Sequence, residues 1–329
     1  MKCRFRVQNF LYFCLTGDAV WAGQFKKLLR QQIFPIPDCM KSMINVMNPL
    51  SKNRAKQIKA LKKRSERYEK GLFLIEGLRS VMQVIQNDIL EIQYLIFDEN
   101  TKRNGHPDDE ARNLLRSEVP DHKLLTAGSG LFKELCDTEN TQGVMAVAKM
   151  PDPVHISDLL EKKGVLLAVD RVQDPGNLGT MIRSAVWFGA AGLVLAPGTV
   201  DQFHPKVVRG TAGATGVLPW LESDLVDFFD AALQKGWKVH ILDGGKDARS
   251  WKQVSPGGMD IIAASNEAGG VSPEVSAYAD REQGCGKVRI DAHGRSDAGA
   301  QNIKAPGVES LNVAVATGIL LSKLAGECA

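Results

Sequence analysis

Short apolar runs alternate with amphipathic stretches along the chain from about residue 48 onwards. In the front half, the apolar runs predict β-strands at 71–77, 92–97 and 144–148. Apolar residues at helical spacing predict helices at 52–70, 79–87 and 108–116. Strands and helices that alternate in this way predict a small α/β domain.

The back half repeats the alternation with stronger signals. Continuous apolar runs predict strands at 165–169, 192–196, 238–242 and 260–264. Helices are predicted at 178–188, 224–235 and 310–324. Apolar strands joined by helices predict a mostly parallel sheet that is covered on both faces. The Gly-, Ala- and Asp-rich segment 284–306 predicts a loop insertion.

Pro151 and Pro153 interrupt both patterns and predict a linker between domains at 48–150 and 154–329. The charge changes at the same place. The 329 residues carry 41 Lys and Arg against 38 Asp and Glu, a net charge of +3. Residues 1–150 hold 24 basic and 17 acidic side chains, whereas residues 151–329 hold 17 and 21. A basic front and an acidic back indicate modules with different partners.

Composition excludes several classes of protein. A chain of this length with 44% hydrophobic residues buries a sizeable core, so neither disulfides nor a metal are needed to fold it. The six cysteines are scattered without a CxxC pair or zinc-ligand spacing, which predicts no metal site and a reducing compartment. No apolar run approaches the roughly 20 residues that span a bilayer, so no membrane association is predicted.

The first 46 residues differ from the rest of the chain. They hold seven basic residues and only two acids, with Phe, Leu and Trp interspersed. A basic, acid-poor N-terminus of this kind is typical of a transit peptide, which predicts a mitochondrial or chloroplast location. The alternative is a disordered extension, and the protein would then be cytoplasmic.

The segment 52–70 is strongly basic, with nine Lys and Arg against two Glu. Ala55, Ile58 and Leu61 recur at helical spacing, which predicts one basic helix with a narrow apolar seam. Such a helix attracts RNA phosphates. The predicted RNA contacts are Lys59, Lys62, Lys63 and Arg64. The alternative is that these charges only solvate an exposed face.

Three polar segments follow predicted strands or open the last predicted helix. Residues 174–185 read DPGNLGTMIRSA, in which Asn177 is the expected helix cap and Arg183 follows about one and a half turns later. Residues 263–273 read AASNEAGGVSP, in which a glycine pair lets a ligand approach the backbone beside Glu267. Residues 306–318 read PGVESLNVAVATG and place Ser310 and Asn312 at a helix N-terminus, which favours electron-rich ligands. Taken singly, each segment also fits an ordinary cap or loop.

Together and in this order, the elements NxGxxxRxA, NExxG and ESLNVAVATG resemble the signature motifs of the SpoU (TrmH-like) RNA 2′-O-ribose methyltransferases of the SPOUT class. The resemblance covers about residues 48–329 and is greatest to the rRNA-modifying branch, bacterial or mitochondrial. It implies a C-terminal α/β domain with a mostly parallel sheet and a trefoil knot, behind a small L30e-like α/β domain. At one point the chain departs from the family: residues 302–306 replace an Ile-Pro-Met strand.

The resemblance also implies a cofactor, an assembly and a set of site residues. The cofactor is S-adenosylmethionine, no metal is needed, and the protein is a homodimer with its active sites at the subunit interface. The catalytic residues of the family correspond to Asn177, Arg183, Glu267, Ser310 and Asn312. Its cofactor-binding residues correspond to Ser265, Gly270, Ile303 and Leu311.

The predicted function is methyl transfer from S-adenosylmethionine to a ribose 2′-hydroxyl of RNA, with rRNA as the substrate. One alternative is a tRNA 2′-O-methyltransferase, which the separate domain at 48–150 disfavours. A second is a non-catalytic RNA-binding factor of ribosome assembly, which the intact set of site residues disfavours. A third is a Rossmann methyltransferase, but no glycine-rich loop follows the first strand.

Overall fold

A computed structural model describes residues 47–101, 108–245, 247–266, 269–292 and 310–325. The predicted transit peptide at 1–46 lies outside the described residues, as do Glu267 and Ile303. No helix in the described ranges is both long and apolar enough to cross a membrane.

The front part of the chain forms a five-stranded mixed sheet with the strand order β1-β4-β3-β5-β2. The strands are β1 (Asn48–Pro49), β2 (Leu72–Glu76), β3 (Ile92–Asp98), β4 (Leu124–Ala127) and β5 (Val144–Lys149). The helices are α1 (Lys52–Ala60), α2 (Arg64–Lys70), α3 (Leu78–Asn87), α4 (Asp108–Glu118) and α5 (Ser129–Leu135). β5 runs antiparallel to β2 and β3, whereas β3 and β4 are parallel.

The predicted single helix over 52–70 is wrong, because the chain breaks it into α1 and α2. Lys63 is extended, with φ −88° and ψ 137°, and α2 begins at the next residue. The apolar seam is nevertheless buried as expected: Ala55, Ile58 and Leu61 pack with Phe132 of α5 in one core. The break turns the basic segment into two short helices that contact different parts of the molecule.

The back part of the chain forms a seven-stranded sheet with the order β10-β12-β9-β11-β6-β7-β8, and every described strand pair in it is parallel. The strands are β6 (Gly164–Asp170), β7 (Gly192–Leu195), β8 (Trp220–Glu222), β9 (Lys238–Leu242), β10 (Arg249–Ser250), β11 (Met259–Ser265) and β12 (Cys285–Arg289). The helices are α6 (Ile156–Leu160), α7 (Pro175–Trp187), α8 (Pro205–Gly210), α9 (Leu225–Gln234), α10 (Pro273–Ala279) and α11 (Val313–Ala325).

The predicted mostly parallel α/β sheet is therefore confirmed. Its central strands β6 and β11 are buried along nearly their whole length, which explains their continuous apolar runs. The trefoil knot and the L30e-like topology of the front domain stay predictions.

The predicted loop insertion over 284–306 is wrong in its first part. Cys285–Arg289 forms β12, which pairs in parallel with β9. Its apolar signal is weak because only Val288 and Arg289 are buried. Residues 293–306 lie outside the described part of the chain.

Aromatic side chains join the two sheets. Phe203, in the long connection that follows β7, lies between Phe73 of β2 and Trp220 of β8, with ring centroids at 5.0 and 5.6 Å. The Trp220 indole also donates a hydrogen bond to the Pro151 carbonyl at 3.1 Å. The residues between β7 and β8 therefore pack directly against the front sheet.

Candidate active site

The site is built at the carboxyl ends of the two central strands. Asp170 ends β6 and Ser265 ends β11, and the two residues are direct partners in the strand register. Both are buried. Ligands of open parallel sheets bind outside the carboxyl ends of the strands, so the loops that leave Asp170 and Ser265 are the expected place for a ligand.

In the loop after β11, Asn266 and Gly270 are hydrogen-bonded to each other, and Gly269 and Gly270 are exposed to solvent. The Gly270 N–H donates a hydrogen bond to the Asn266 carbonyl at 2.8 Å, and Gly270 has a φ of +65°, which glycine adopts without strain. Among the described residues, no heavy atom lies within 4 Å of the position that a Cβ would take at Gly269 or Gly270. A ligand can therefore approach the backbone of this loop.

Asp170 anchors the far end of the same loop. One of its carboxylate oxygens accepts a hydrogen bond from the Ser272 N–H at 2.8 Å, and the other lies 3.3 Å from the Arg171 guanidinium. Sequence reasoning missed Asp170. The available signal was an acidic residue at the end of an otherwise apolar strand, since a buried carboxylate needs hydrogen-bond donors.

Asp174, and not Asn177, is the N-cap of α7. Its side chain accepts a hydrogen bond from the Asn177 backbone N–H at 2.7 Å, and Pro175 occupies the first helical turn. The prediction that Asn177 caps the helix is therefore wrong. The correction matters because it leaves the Asn177 side chain available for contacts outside its own helix.

The Asn177 side chain forms a hydrogen bond with Asn312, which lies just before α11. The Asn312 amide Nδ2 donates to Asn177 Oδ1 at 2.9 Å, across 135 residues of sequence. Asn312 Oδ1 in turn accepts from the backbone N–H groups of Ala314 and Val315, at 3.0 and 3.3 Å, and so caps α11. Ser310 and Leu311 precede this cap and are exposed. The first and third motifs thus meet at two helix N-termini.

α7 and α11 run side by side in the same direction from this contact. Ser184 Oγ lies 3.8 Å from the position of a Cβ at Gly318, so the two helices remain close further along. On another side of α7, a Cβ at Gly179 would lie 2.7 Å from the Val207 carbonyl oxygen and 2.8 Å from the Gly210 Cα of α8. Only glycine fits at 179, and it fixes the helix that carries Asn177.

Arg183 lies outside the Asn177–Asn312 contact. It follows Asn177 by six residues, a rotation of about 240° around an α-helix, whereas Ser184 shares the side that faces α11. Its side chain is exposed, and it has no hydrogen bond or ion pair with another described residue. The structure therefore brings Asn177 and Asn312 together and leaves the guanidinium of Arg183 facing outward.

The predicted RNA-binding cations differ in the contacts that they make within the protein. The Lys62 ammonium donates to the carbonyls of Glu134 and Cys136 at the end of α5, at 3.0 and 2.6 Å. Lys59 pairs with the Glu134 carboxylate at 2.8 Å. Arg64 lies over the Tyr68 ring and 3.4 Å from Glu222. Lys63 is exposed and makes no capping bond with its side chain.

No group of three His, Cys, Asp or Glu side chains in the described ranges could hold a metal ion. Instead, an open glycine loop and two cross-bonded helix N-termini lie at the carboxyl edge of a parallel sheet. This arrangement is typical of α/β proteins that bind a ligand outside the carboxyl ends of parallel strands.

Comparisons with known proteins agree with this class. Residues 164–322 match the model of the SpoU rRNA Methylase family, and residues 52–146 match that of the MRM3-like substrate binding domain. Residues 164–322, just under half of the chain, are therefore similar to the SpoU rRNA Methylase family over their whole length.

Relatives and solved structures match nearly the same extent of the chain. The 23S rRNA (guanosine(2553)-2′-O)-methyltransferase RlmP of Bacillus subtilis is 29% identical over 83% of this chain and 96% of its own length. The mitochondrial rRNA methyltransferase 3 of Xenopus laevis is 28% identical over 83% of this chain and 73% of its own. The structure of a putative TrmH-family RNA methyltransferase from Porphyromonas gingivalis superposes with a TM-score of 0.64 at 28% identity, covering 84% of this chain and 98% of that one.

Proposed function

We propose that this protein transfers a methyl group from S-adenosylmethionine to a ribose 2′-hydroxyl of rRNA. The observation that carries the proposal is the Asn177–Asn312 hydrogen bond, which joins the first and third motifs. The second motif leaves β11, whose end is the register partner of the end of β6, from which the first motif follows. The relatives named above are rRNA methyltransferases, one of them a 2′-O-methyltransferase by name, which favours rRNA over tRNA.

The residues at the carboxyl edge fit the cofactor. The empty space beside the Gly270 backbone admits a ligand, Ser265 offers a hydroxyl at the strand end, and Leu311 offers an exposed apolar side chain. When bound, S-adenosylmethionine supplies a methyl group that its sulfonium makes electrophilic. Ser265, Gly270 and Leu311 would hold it, and Ile303 is assigned by resemblance alone.

The catalytic task of the protein is to make a weak nucleophile react. A 2′-hydroxyl attacks only when its proton is accepted or its developing negative charge is stabilised. Arginine stays protonated in proteins, so Arg183 would act as a cation beside the 2′-oxygen and the neighbouring phosphate. The hydroxyl proton would pass to solvent water as the oxygen–methyl bond forms, and the broken carbon–sulfur bond would leave S-adenosylhomocysteine as the second product. Asn177, Ser310 and Asn312 would orient the ribose and Glu267 would hold Arg183. Such orientation is worth roughly 7–11 kcal/mol.

We further propose a homodimer in which Arg183 completes the site of the partner subunit. Three large apolar side chains on or beside α7 and α11 support an interface there: Trp187 is 82% exposed, Leu311 45% and Val315 49%. The outward direction of Arg183 also supports action on a second chain.

A mixing experiment tests this assembly. The variants Arg183→Ala and Asn312→Ala are each expected to be inactive. If Arg183 acts across the interface, heterodimers contain one site with both residues intact, and mixing regains up to about a quarter of wild-type activity. Light scattering should give twice the mass of one chain, and a monomer that methylates RNA would contradict the proposal.

Residues 48–150 would form the domain that binds the RNA, and residues 154–329 the methyltransferase domain. The family model for residues 52–146 is described as a substrate binding domain. Relatives such as those of Xenopus laevis and Danio rerio are named mitochondrial, which supports an organellar location. Fusing residues 1–46 to a fluorescent protein tests the location, and a diffuse cytosolic signal would contradict it.

Methyl transfer in vitro tests the function itself. Purified protein, rRNA transcripts and tritiated S-adenosylmethionine are incubated, and the RNA is then digested with alkali. A 2′-O-methyl group protects the adjacent phosphodiester, so label in an alkali-resistant dinucleotide supports the proposal. Label in mononucleotides would show base methylation, and tRNA labelled in preference to rRNA would favour the alternative substrate.

A further inference from the structure

Arg67 of α2 is a buried cation whose contacts reach in two directions. Its side chain is 1% exposed. Within the front domain, NH1 donates to the carbonyls of Leu61 and Lys62, both at 2.9 Å, where α1 ends. Towards the back domain, Nε donates to Asp201 Oδ2 at 3.0 Å, and NH2 contacts the same oxygen. Arg67 therefore ties the end of the basic helix α1 to the catalytic domain.

Asp201 also accepts hydrogen bonds from residues other than Arg67. It lies in the loop after β7, and its second oxygen accepts from the Phe203 N–H at 3.0 Å and the Tyr68 hydroxyl at 3.1 Å. Both carboxylate oxygens of this buried side chain are thus occupied. The loop cannot shift relative to α2 without breaking this buried ion pair, which would leave two charges unpaired away from water.

The same loop is hydrogen-bonded to the end of β6, after which the chain leads to Asn177. Thr199 Oγ1 donates to the Val169 carbonyl and accepts from the Arg171 N–H, both at 3.1 Å. The Val200 N–H donates to the Val172 carbonyl at 2.9 Å. Val169, Arg171 and Val172 lead directly into the turn before Asn177. The loop after β7 therefore has hydrogen bonds to the basic helices through Asp201 and, through Thr199 and Val200, to the segment that leads to Asn177.

We infer that Arg67 is a positioning residue that determines which ribose of the bound RNA is methylated. Through Asp201 it fixes the distance between the basic helices and the carboxyl edge, so RNA held by the front domain presents one nucleotide to the site. The inference rests on the proposed function. Exposed ion pairs at the same junction, such as Arg64–Glu222 at 3.4 Å, lack this burial and contribute little.

The test removes the pair without leaving a buried charge. In the double variant Arg67→Met/Asp201→Asn, the amide oxygen still accepts from Phe203 and Tyr68. Wild type and variant are given an rRNA transcript, and also a short RNA that carries the wild-type methylation site but is too short to reach the front domain. We expect kcat/KM on the transcript to fall about tenfold or more, with methylation spreading to neighbouring nucleotides. On the short RNA, kcat should change less than threefold.

Controls separate positioning from stability. Glu222→Gln breaks the exposed pair at the same junction and should leave rate and position of methylation unchanged. Arg67→Lys keeps the charge and should retain most of the single-site accuracy. If the double variant does not fold, Arg67→Gln/Asp201→Asn, which also removes both charges but keeps polar groups at both positions, takes its place. The affinity for S-adenosylmethionine should stay within twofold in each of these variants.

The outcomes are distinct. A folded variant without either charge of the pair that methylates the same nucleotide with wild-type kcat/KM would overturn the positioning role alone. An equal loss on the transcript and on the short RNA would assign Arg67 a merely structural role and would also overturn it. A wild-type protein that methylates neither RNA would overturn the proposed function, and the positioning role with it.

Discussion

The carboxyl edge of the seven-stranded sheet and the basic helices α1 and α2 both carry polar side chains chosen from the sequence, but the structure uses them differently. At the carboxyl edge, Asn177 and Asn312 are 135 residues apart in sequence, and their hydrogen bond connects two different helices, α7 and α11. On the basic helices, Lys62 binds the carbonyls at the end of α5, so part of the positive charge belongs to the fold. Motif order therefore selects side chains that the fold brings together, whereas a count of charges does not separate structural cations from those available to RNA.

The largest effect is expected at Arg183. Because its guanidinium would stabilise charge that develops only during the reaction, Arg183→Ala should lower kcat about 10²- to 10³-fold and leave the affinity for S-adenosylmethionine nearly unchanged. Single-turnover methyl transfer and calorimetric titration measure the two quantities. Lys235→Ala, which removes an exposed cation elsewhere, is the matched control. Near-normal turnover of Arg183→Ala would remove Arg183 from the mechanism.

The next effect concerns the support of the carboxyl edge. Gly179→Ala places a methyl group 2.7 Å from the Val207 carbonyl oxygen and should lower the free energy of unfolding by about 1–3 kcal/mol. Gly130→Ala in α5 meets no atom within 4 Å and should raise it by up to about 1 kcal/mol. Urea denaturation measures both. Equal stabilities of the two variants would contradict the close approach of α7 and α8.

Two adjacent lysines on the basic segment should separate fold from RNA binding. Lys62→Ala removes two hydrogen bonds to carbonyls and should cost about 1 kcal/mol or more of stability. Lys63→Ala should leave stability unchanged and lower the slope of RNA affinity against salt concentration by about 0.9. Denaturation and filter binding over a salt series decide between them. The reverse pattern would show that the contacts of Lys62 are not maintained in solution.

The smallest effect is a pH dependence at Glu76, which lies at the end of β2. Burial raises the pKa of this carboxyl above its usual 4.5, although the Asp137 N–H and the Thr138 hydroxyl donate to it. The protonated form is therefore favoured by folding, and the associated stability is present below about pH 4.5 and lost as the pH rises through the folded-state pKa.

Glu76→Gln removes this titration. The difference in the free energy of unfolding between Glu76→Gln and wild type should increase in favour of the variant as the pH rises from about 4, and then level off. Thermal unfolding over a pH series measures it. A difference that stays constant with pH would contradict the raised pKa.

Much of the fold follows from local signals. The apolar runs of β6, β9 and β11 are buried strands, as their patterns predicted. Burial of Ala55 and Ile58 also followed from their spacing. These features depend on residues that are close in sequence, namely on continuous apolar runs or on apolar residues at helical spacing, and both can be read from the sequence directly.

Features that depend on distant partners could not be predicted in the same way. The break between α1 and α2 is held by Arg67, whose partner Asp201 lies 134 residues away. Asp174 and Asn177 are both good N-caps, and only the structure shows that Asp174 caps α7 while Asn177 bonds Asn312. Strand β12 is partly exposed and therefore lacks a continuous apolar run, and what makes it a strand is its pairing with β9.

The most direct test is to map ribose methylation in the rRNA of the source organism with and without the gene. The proposal predicts that one 2′-O-methyl group disappears on deletion, returns with the wild-type gene and does not return with Arg183→Ala. An unchanged methylation map, or full restoration by Arg183→Ala, would contradict it.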